Sequence, residues 1–238
     1  MSTPDPELSR TGGDRAARSA RAATAPGSAG AEQAAEEKAR ADREDTELML
    51  RFKRGDAKAF ELLLARHRRG VYNFCLKMLG ERTSAEDAMQ EIFLRVVRSA
   101  KDWERNAKLT TWLYTIARNH CIDALRKASY RKTASLDQPL REGEEQGTTL
   151  GEQVGDDQGI APDRGAESAR MRLAIASALA GLPAEQREVF VMREHAGMPF
   201  KEIAAVVGVP ENTVKSRMRY ALEHLRESLR KAGITRED

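Results

Sequence analysis

The chain has 238 residues, with 40 Lys+Arg against 37 Asp+Glu and a formal charge of +3. Charged residues make up 32% and aromatics only 5%, which argues against one large core and for small helical modules. No apolar run approaches the roughly 18 residues of a membrane span, and the first thirty residues lack the apolar block of a signal peptide, so a cytoplasmic protein is expected. Cys75 and Cys121 are too few for a disulfide framework and read as ordinary reduced thiols.

The near-neutral total conceals a division. Residues 1–43 are net neutral, 44–132 carry +7, 133–168 carry −7 and 169–238 carry +3. Two basic blocks thus flank an acidic segment. A basic block is an electrostatic footprint for phosphate, although charge alone is explained as well or better by a solvated surface.

Residues 1–43 are rich in Ala, Arg, Ser, Gly and Pro and nearly lack large apolar side chains. They cannot offset the entropy of ordering, so a disordered tail is expected. Its part from Ala31 to Arg43 is helix-prone but has no apolar face. From Thr46 the pattern changes. Leu48, Met49, Phe52, Phe60, Leu63 and Leu64 recur at helical spacing, with Gly55-Asp56 as a break, and Val71, Phe74, Cys75, Met78 and Leu79 continue the period to Gly80. Ser84 opens the next helix, with Asp87 in the place of a capping-box partner. Met89, Phe93, Val96 and Val97 form its buried stripe. Thr110 or Thr111 caps a further helix whose apolar face is Leu113, Ile116, Ala117, Cys121, Ala124 and Leu125.

Residues 133–168 hold eight Gly or Pro and nine acids, the composition of a flexible linker. Met171 to Ala180 is then a helix closed by Gly181, and Pro183, Pro199 and Pro210 each start another from its first turn. No Val/Ile/Thr alternation is long enough for a strand. The expected fold is all-α, with two small helical domains at 44–132 and 169–238 joined by the acidic linker.

Residues 199–229 carry the sharpest local signal. Glu202-Ile203-Ala204 and Ala205-Val206-Val207 make a short helix, and Gly208 stands where a tight turn needs a positive φ. Val209 can plug the corner, and Pro210 begins a second helix with Val214, Met218, Leu222, Leu225 and Leu229 as its buried seam. Glu211, Asn212, Thr213, Lys215, Ser216, Arg217 and Arg219 are left near its exposed N-terminal half. Such a helix fits the DNA major groove, its first residues meeting base edges and its cations meeting phosphates. A plain helical hairpin with a solvated face is the alternative.

The strings Gly208-Val209-Pro210-Glu211-Asn212-Thr213-Val214-Lys215-Ser216-Arg217 and Leu182-Pro183-Ala184-Glu185-Gln186-Arg187-Glu188-Val189-Phe190 resemble region four of bacterial RNA polymerase sigma factors, especially the extracytoplasmic-function (ECF) type. Ser84-Ala85-Glu86-Asp87-Ala88-Met89-Gln90-Glu91-Ile92-Phe93 resembles region two of the same family, as does the stretch from Trp103 through Thr110 and Thr111-Trp112-Leu113-Tyr114-Thr115-Ile116-Ala117-Arg118-Asn119. The resemblance covers about 46–132 and 168–232. It implies a promoter-specific initiation subunit with no chemistry of its own.

Several roles follow from that resemblance. Asp87, Gln90 and Glu91 share one helix face and would dock on the clamp helices of the polymerase largest subunit, while region four would meet the flap of the second largest. Arg105, Asn106, Lys108, Trp112, Arg118, Asn119, Asp123, Arg126 and Lys127 would capture the minus-ten element as a melted strand. Arg131-Lys132 would continue the phosphate track. Trp103 and Trp112 fit a core role as well as base stacking. The loop Arg105-Asn106-Ala107-Lys108 departs from the string of many family members, so the flipped base is not carried over. The region-four set from Glu211 to Arg219 named above would read the minus-thirty-five element. An anti-sigma partner is implied too. The acidic segment would serve either as an RNA-like polyanion in the polymerase cleft or as a soluble spacer.

Two rivals remain. One is a helix-turn-helix regulator that binds DNA without being a polymerase subunit; the docking string argues against it. The other is an enzyme. His67, His120, His195 and His224 are scattered, none has metal-ligand spacing, and there is no Gly-rich phosphate loop. No cofactor, metal or small-molecule substrate is expected.

Overall fold

A computed structural model describes residues 28–105, 107–136 and 165–234. All regular structure among them is helical: α1 Ser28–Lys53, α2 Ala57–Leu79, α3 Arg82–Ser99, α4 Leu109–Leu136, α5 Gly165–Ala180, α6 Ala184–Glu194, α7 Phe200–Val207 and α8 Glu211–Lys231. One 3₁₀ turn, Ala100–Asp102, follows α3. The chain divides into two units, Met1–Ala41 and Asp42–Asp238. The described part of the first is the beginning of α1; the second contains α2 to α8.

Local chemistry sets the helix ends. Gly55 adopts φ +97° and Asp56 caps α2, its carboxylate accepting from the Ala59 N–H at 3.3 Å. Gly80 closes α2 in the left-handed region at φ +82°. The capping box expected at Ser84 does not form. Helix α3 already begins at Arg82, and the Ser84 hydroxyl donates to the Glu81 carboxylate at 2.5 Å. Thr110 lies inside α4 and its buried hydroxyl has no protein partner, so it is not the cap either. Pro183, Pro199 and Pro210 stand one position before their helices, at the N-cap.

Three helices overrun the expected boundaries. Helix α1 reaches back to Ser28, into the segment expected to be a tail, because Ala29, Ala31, Ala34, Ala35 and Glu36 are strong helix formers. Helix α4 continues to Leu136 and α5 starts at Gly165. The rest of the acidic linker and the tail before Ser28 lie outside the described residues.

The main core runs through both helical blocks. Val71, Phe74, Met78, Ile92, Leu113 and Ala117 from α2–α4 are continuous with Val189, Met192, Ile203, Val206, Val214 and Met218 from α6–α8. The two blocks therefore pack against each other, α2 on α6 and α4 on α7. Each large side chain so buried contributes roughly 1.5–3 kcal/mol. A second cluster joins Leu48, Met49, Leu63, Trp103 and Leu109; a third joins α5 to α8 through Ala178, Leu179, Ala221 and Leu225.

Helical phase corrects two expected core positions. Val97 is 43% exposed and Leu222 is 44% exposed. Each lies about 100° around its helix from the neighbour that is buried, Val96 and Ala221. Cys75 and Cys121 are free, fully buried thiols whose sulfurs lie 3.8 Å apart. The hydrogen bond to Cys75, with burial, pushes the Cys121 thiol pKa far up.

Candidate nucleic-acid and polymerase interfaces

Helix α7, a turn and α8 form a helix-turn-helix. Gly208 makes the turn at φ +76°, and its N–H donates to the Ala204 carbonyl at 2.9 Å. Val209 packs half-buried against the core at the corner. The seam of α8 is Val214, Met218, Ala221 and Leu225, spaced at +4, +7 and +11. That spacing leaves Asn212, Lys215, Ser216 and Arg219 exposed, with Glu211 and Thr213 half-buried beside them. Lys215 pairs with Glu211 at 2.7 Å, and the Arg219 guanidinium lies 5.0 Å above the Tyr220 ring. Arg217 differs from these neighbours. It is turned inward, 3.0 Å from Glu185 and 3.6 Å from Glu188.

Helix α4 carries most of the residues expected to meet the minus-ten strand. Asn119, Asp123, Arg126 and Lys127 are exposed along one side, and Arg126 lies 3.9 Å from Asp123. Arg118 is directed at the other block. Its Nε donates to Glu188 at 2.8 Å, its Nη2 donates to the other oxygen at 3.4 Å, and its Nη1 donates to Asn119 at 3.3 Å. Lys108, just before α4, holds Glu202 at 2.6 Å and Asp42 at 2.8 Å. Those two hydrogen bonds, to Asp42 and Glu202, raise the Lys108 pKa. Arg105 is exposed, and Asn106 lies outside the described residues.

The tryptophans part company. Trp103 is 1% exposed and belongs to the second core cluster, so it is not available to stack on a base. Trp112 is half-buried, wedged between the two clusters. Between α3 and α4 lies a groove of about 380 Å³ lined by Arg95, Arg98, Ser99, Ile116 and Asn119.

On α3 the buried residues Ala85, Ala88, Ile92, Phe93 and Val96 define one side. Asp87 and Gln90 are exposed on the other, and Glu91 is half-buried with Arg95 3.3 Å away. Leu94 is 49% exposed and projects between the Asp87 and Gln90 directions. Sequence reading missed it. The available signal was a leucine outside the apolar stripe of its helix.

Among the described residues no group of three or more His, Cys, Asp or Glu is placed to hold a metal ion. No described helix is long and apolar enough to cross a membrane.

The sequence profile "Sigma-70 region 2" matches residues 63–131, and "Sigma-70, region 4" matches residues 172–225. The ECF RNA polymerase sigma factor SigL of Mycobacterium tuberculosis H37Rv is 34% identical over 184 residues, spanning 76% of this chain and 94% of SigL. The chain belongs to the ECF sigma factors. SigW of Bacillus subtilis 168 is 33% identical over 178 residues, spanning 75% of this sigma factor and 92% of SigW. The fold is shared with CnrH, solved with the cytosolic domain of CnrY (TM-score 0.57, 23% identity, 79% of this chain and 98% of that one). It is shared as well with RpoE of Bartonella quintana, solved with the anti-sigma factor NepR (TM-score 0.56, 23% identity, 73% and 98%).

Two further residues of this sigma factor escaped the sequence reading: Glu188 and Glu202. Glu188 is fully buried, yet both Arg118 and Arg217 reach it. Burial pushes its carboxyl pKa upward, against the opposing pull of Arg118 and then Arg217. Both lie within strings quoted above, but no local pattern marks their pairing, because their partners stand at distant positions in the chain.

Proposed function

We propose that this sigma factor recruits core RNA polymerase and places it on promoters through three faces. The α3 face of Asp87, Gln90, Glu91 and Leu94 docks on the clamp helices of the largest subunit. Two acids, an amide and a half-exposed leucine together suit a coiled-coil partner that offers cations around an apolar seam. Helix α4 and the loop before it, with Arg105, Asn106, Lys108, Trp112, Arg118, Asn119, Asp123, Arg126 and Lys127, capture the melted minus-ten strand. Helix α8 enters the major groove of the minus-thirty-five element with Glu211, Asn212, Thr213, Lys215, Ser216, Arg217 and Arg219.

On this reading residues 44–132 act as region two, 133–168 as the connector and 169–238 as region four, which also meets the flap of the second-largest subunit. The protein works in the cytoplasm, performs no catalysis and is held in check by an anti-sigma partner. The fold it shares with RpoE of Bartonella quintana, a sigma factor solved in complex with the anti-sigma factor NepR, supports that last role. The observation that carries the whole reading is the α8 surface. An exposed polar N-terminal half over a continuous buried seam is the geometry of a recognition helix.

The test is reconstitution of the full chain with core polymerase on a library of candidate promoters, with transcript starts mapped. A defined set of starts sharing two upstream elements is expected. No specific transcript, together with tight duplex binding by the protein alone, would instead establish a regulator that acts without polymerase.

A further inference from the structure

The cations that α8 offers to DNA are not equivalent. Lys215 is engaged by Glu211 at 2.7 Å, and Arg217 by Glu185 at 3.0 Å. Arg219 is exposed, and among the described residues no carboxylate pairs with it. It is held instead by Tyr220. The guanidinium lies 5.0 Å from the centre of the ring, over its face, and Nη2 donates to the phenol oxygen at 3.3 Å. Adjacent residues on a helix point about 100° apart, so the arginine stem bends back over its neighbour to make this contact. Tyr220 is 49% exposed, stands one turn beyond Ser216 and takes no part in the α8 seam. Core packing therefore does not account for the ring.

A guanidinium laid on an aromatic face keeps its edge free for further hydrogen bonds. Arginine has five N–H donors, and the phenol takes only one of them. The edge that remains matches the O6 and N7 acceptors of guanine in the major groove, which a planar fork meets with two parallel bonds. Ordering a long side chain opposes binding, and one already resting on a ring has less freedom to lose. Arg219 also has no ion pair to break before it meets DNA. It stands seven residues, about 10 Å, beyond Asn212 along α8, so it reaches a different base pair.

We infer that Arg219 and Tyr220 form one guanine-reading unit. Arg219 makes the bidentate contact, and Tyr220 is the positioning residue that presents it. This rests on the assignment of α8 to the minus-thirty-five element and adds two things to it: a role for Tyr220, and a G·C pair at one position of the DNA that α8 reads.

The test uses the full chain reconstituted with core polymerase, on a library in which the upstream element of a mapped promoter is randomised. Transcribed members are sequenced for wild type, Arg219→Lys, Tyr220→Ala, Tyr220→Phe and a control, Arg230→Ala, which removes an exposed cation about three turns further along α8. Wild type and control are expected to prefer guanine at one position about 10-fold over the other bases. Arg219→Lys keeps the charge and should lose that preference, because an ammonium is a point charge without the planar fork. Tyr220→Ala should reduce the preference to about 3-fold with the other positions unchanged, and Tyr220→Phe, which keeps the ring, should retain most of it. With 7-deazaguanine at that position, which lacks the N7 acceptor, wild-type transcription should fall about 5-fold while Arg219→Lys does not respond. A guanine preference unaltered in Arg219→Lys or in Tyr220→Ala overturns the inference, as does wild-type transcription that tolerates 7-deazaguanine. Each of those results leaves specific transcription intact. Absence of any specific transcript from the wild type would instead remove the sigma reading, and the inference with it.

Discussion

Asp45 offers a calculable test of how α1 is anchored. Its side chain is 3% exposed, and its carboxylate accepts from Arg66 at 2.5 Å and pairs with His67 at 2.7 Å, joining α1 to α2. Glu44 shares Arg66 at 3.0 Å. Charged hydrogen bonds of this kind are each worth about 1.5–3 kcal/mol. Arg66 is 39% exposed, so its bond belongs at the low end. Asp45→Ala is therefore expected to cost about 3 kcal/mol, which for a body of this size lowers Tm by roughly 6–12 °C. Acid titration sets the sign. Burial raises the Asp45 pKa, but the hydrogen bonds and charges of His67 and Arg66 outweigh it, and the folded value lies below the ordinary one. A depressed carboxyl stabilises above its unfolded pKa, about 3.9, and that stability is lost as pH falls through the folded value. The stability gap between wild type and Asp45→Asn, from urea denaturation, should be complete near pH 5 and close below about pH 3.9. An Asp45→Ala protein within 0.5 kcal/mol of wild type, or a gap that widens on acidification, would refute this account.

Other outcomes follow from single positions. Gly208→Ala adds a Cβ that meets nothing within 4 Å, so its cost is backbone strain alone, about 1 kcal/mol in a thermal melt. Leu94→Arg should leave stability within about 0.5 kcal/mol, yet weaken core-polymerase binding at least ~10-fold in competition against wild type. Lys215→Ala should lower duplex affinity across sequences and reduce the salt slope by about one, whereas Asn212→Ala should act by relaxing sequence preference. Cys75 and Cys121 should be inert to a thiol reagent in the native protein and react together only in denaturant, because both are buried and the Cys121 thiol is held protonated.

Elements and seams were legible wherever one helix carries its own evidence. The +4 and +11 spacing from Val214, the positive φ at Gly208 and the break at Gly55-Asp56 are short-range facts, set by residues within a turn or two of one another. The misread positions failed for a related reason. Val97 and Leu222 are apolar, and only the phase of a real helix shows that Val96 and Ala221 occupy the buried slots. Helix α1 was underestimated because tail composition masked strong local propensity.

By itself the sequence determined the helical class, the helix-turn-helix and the family, since these depend on periodicity and on contiguous strings such as those around Asp87 and Thr213. Tertiary structure alone decided how the two blocks meet. Residues 118, 188 and 217 converge through packing across long sequence separations, and whether a cation faces DNA or a neighbouring carboxylate depends on that convergence. Composition can count the charges of each block; it cannot say which of them are already paired.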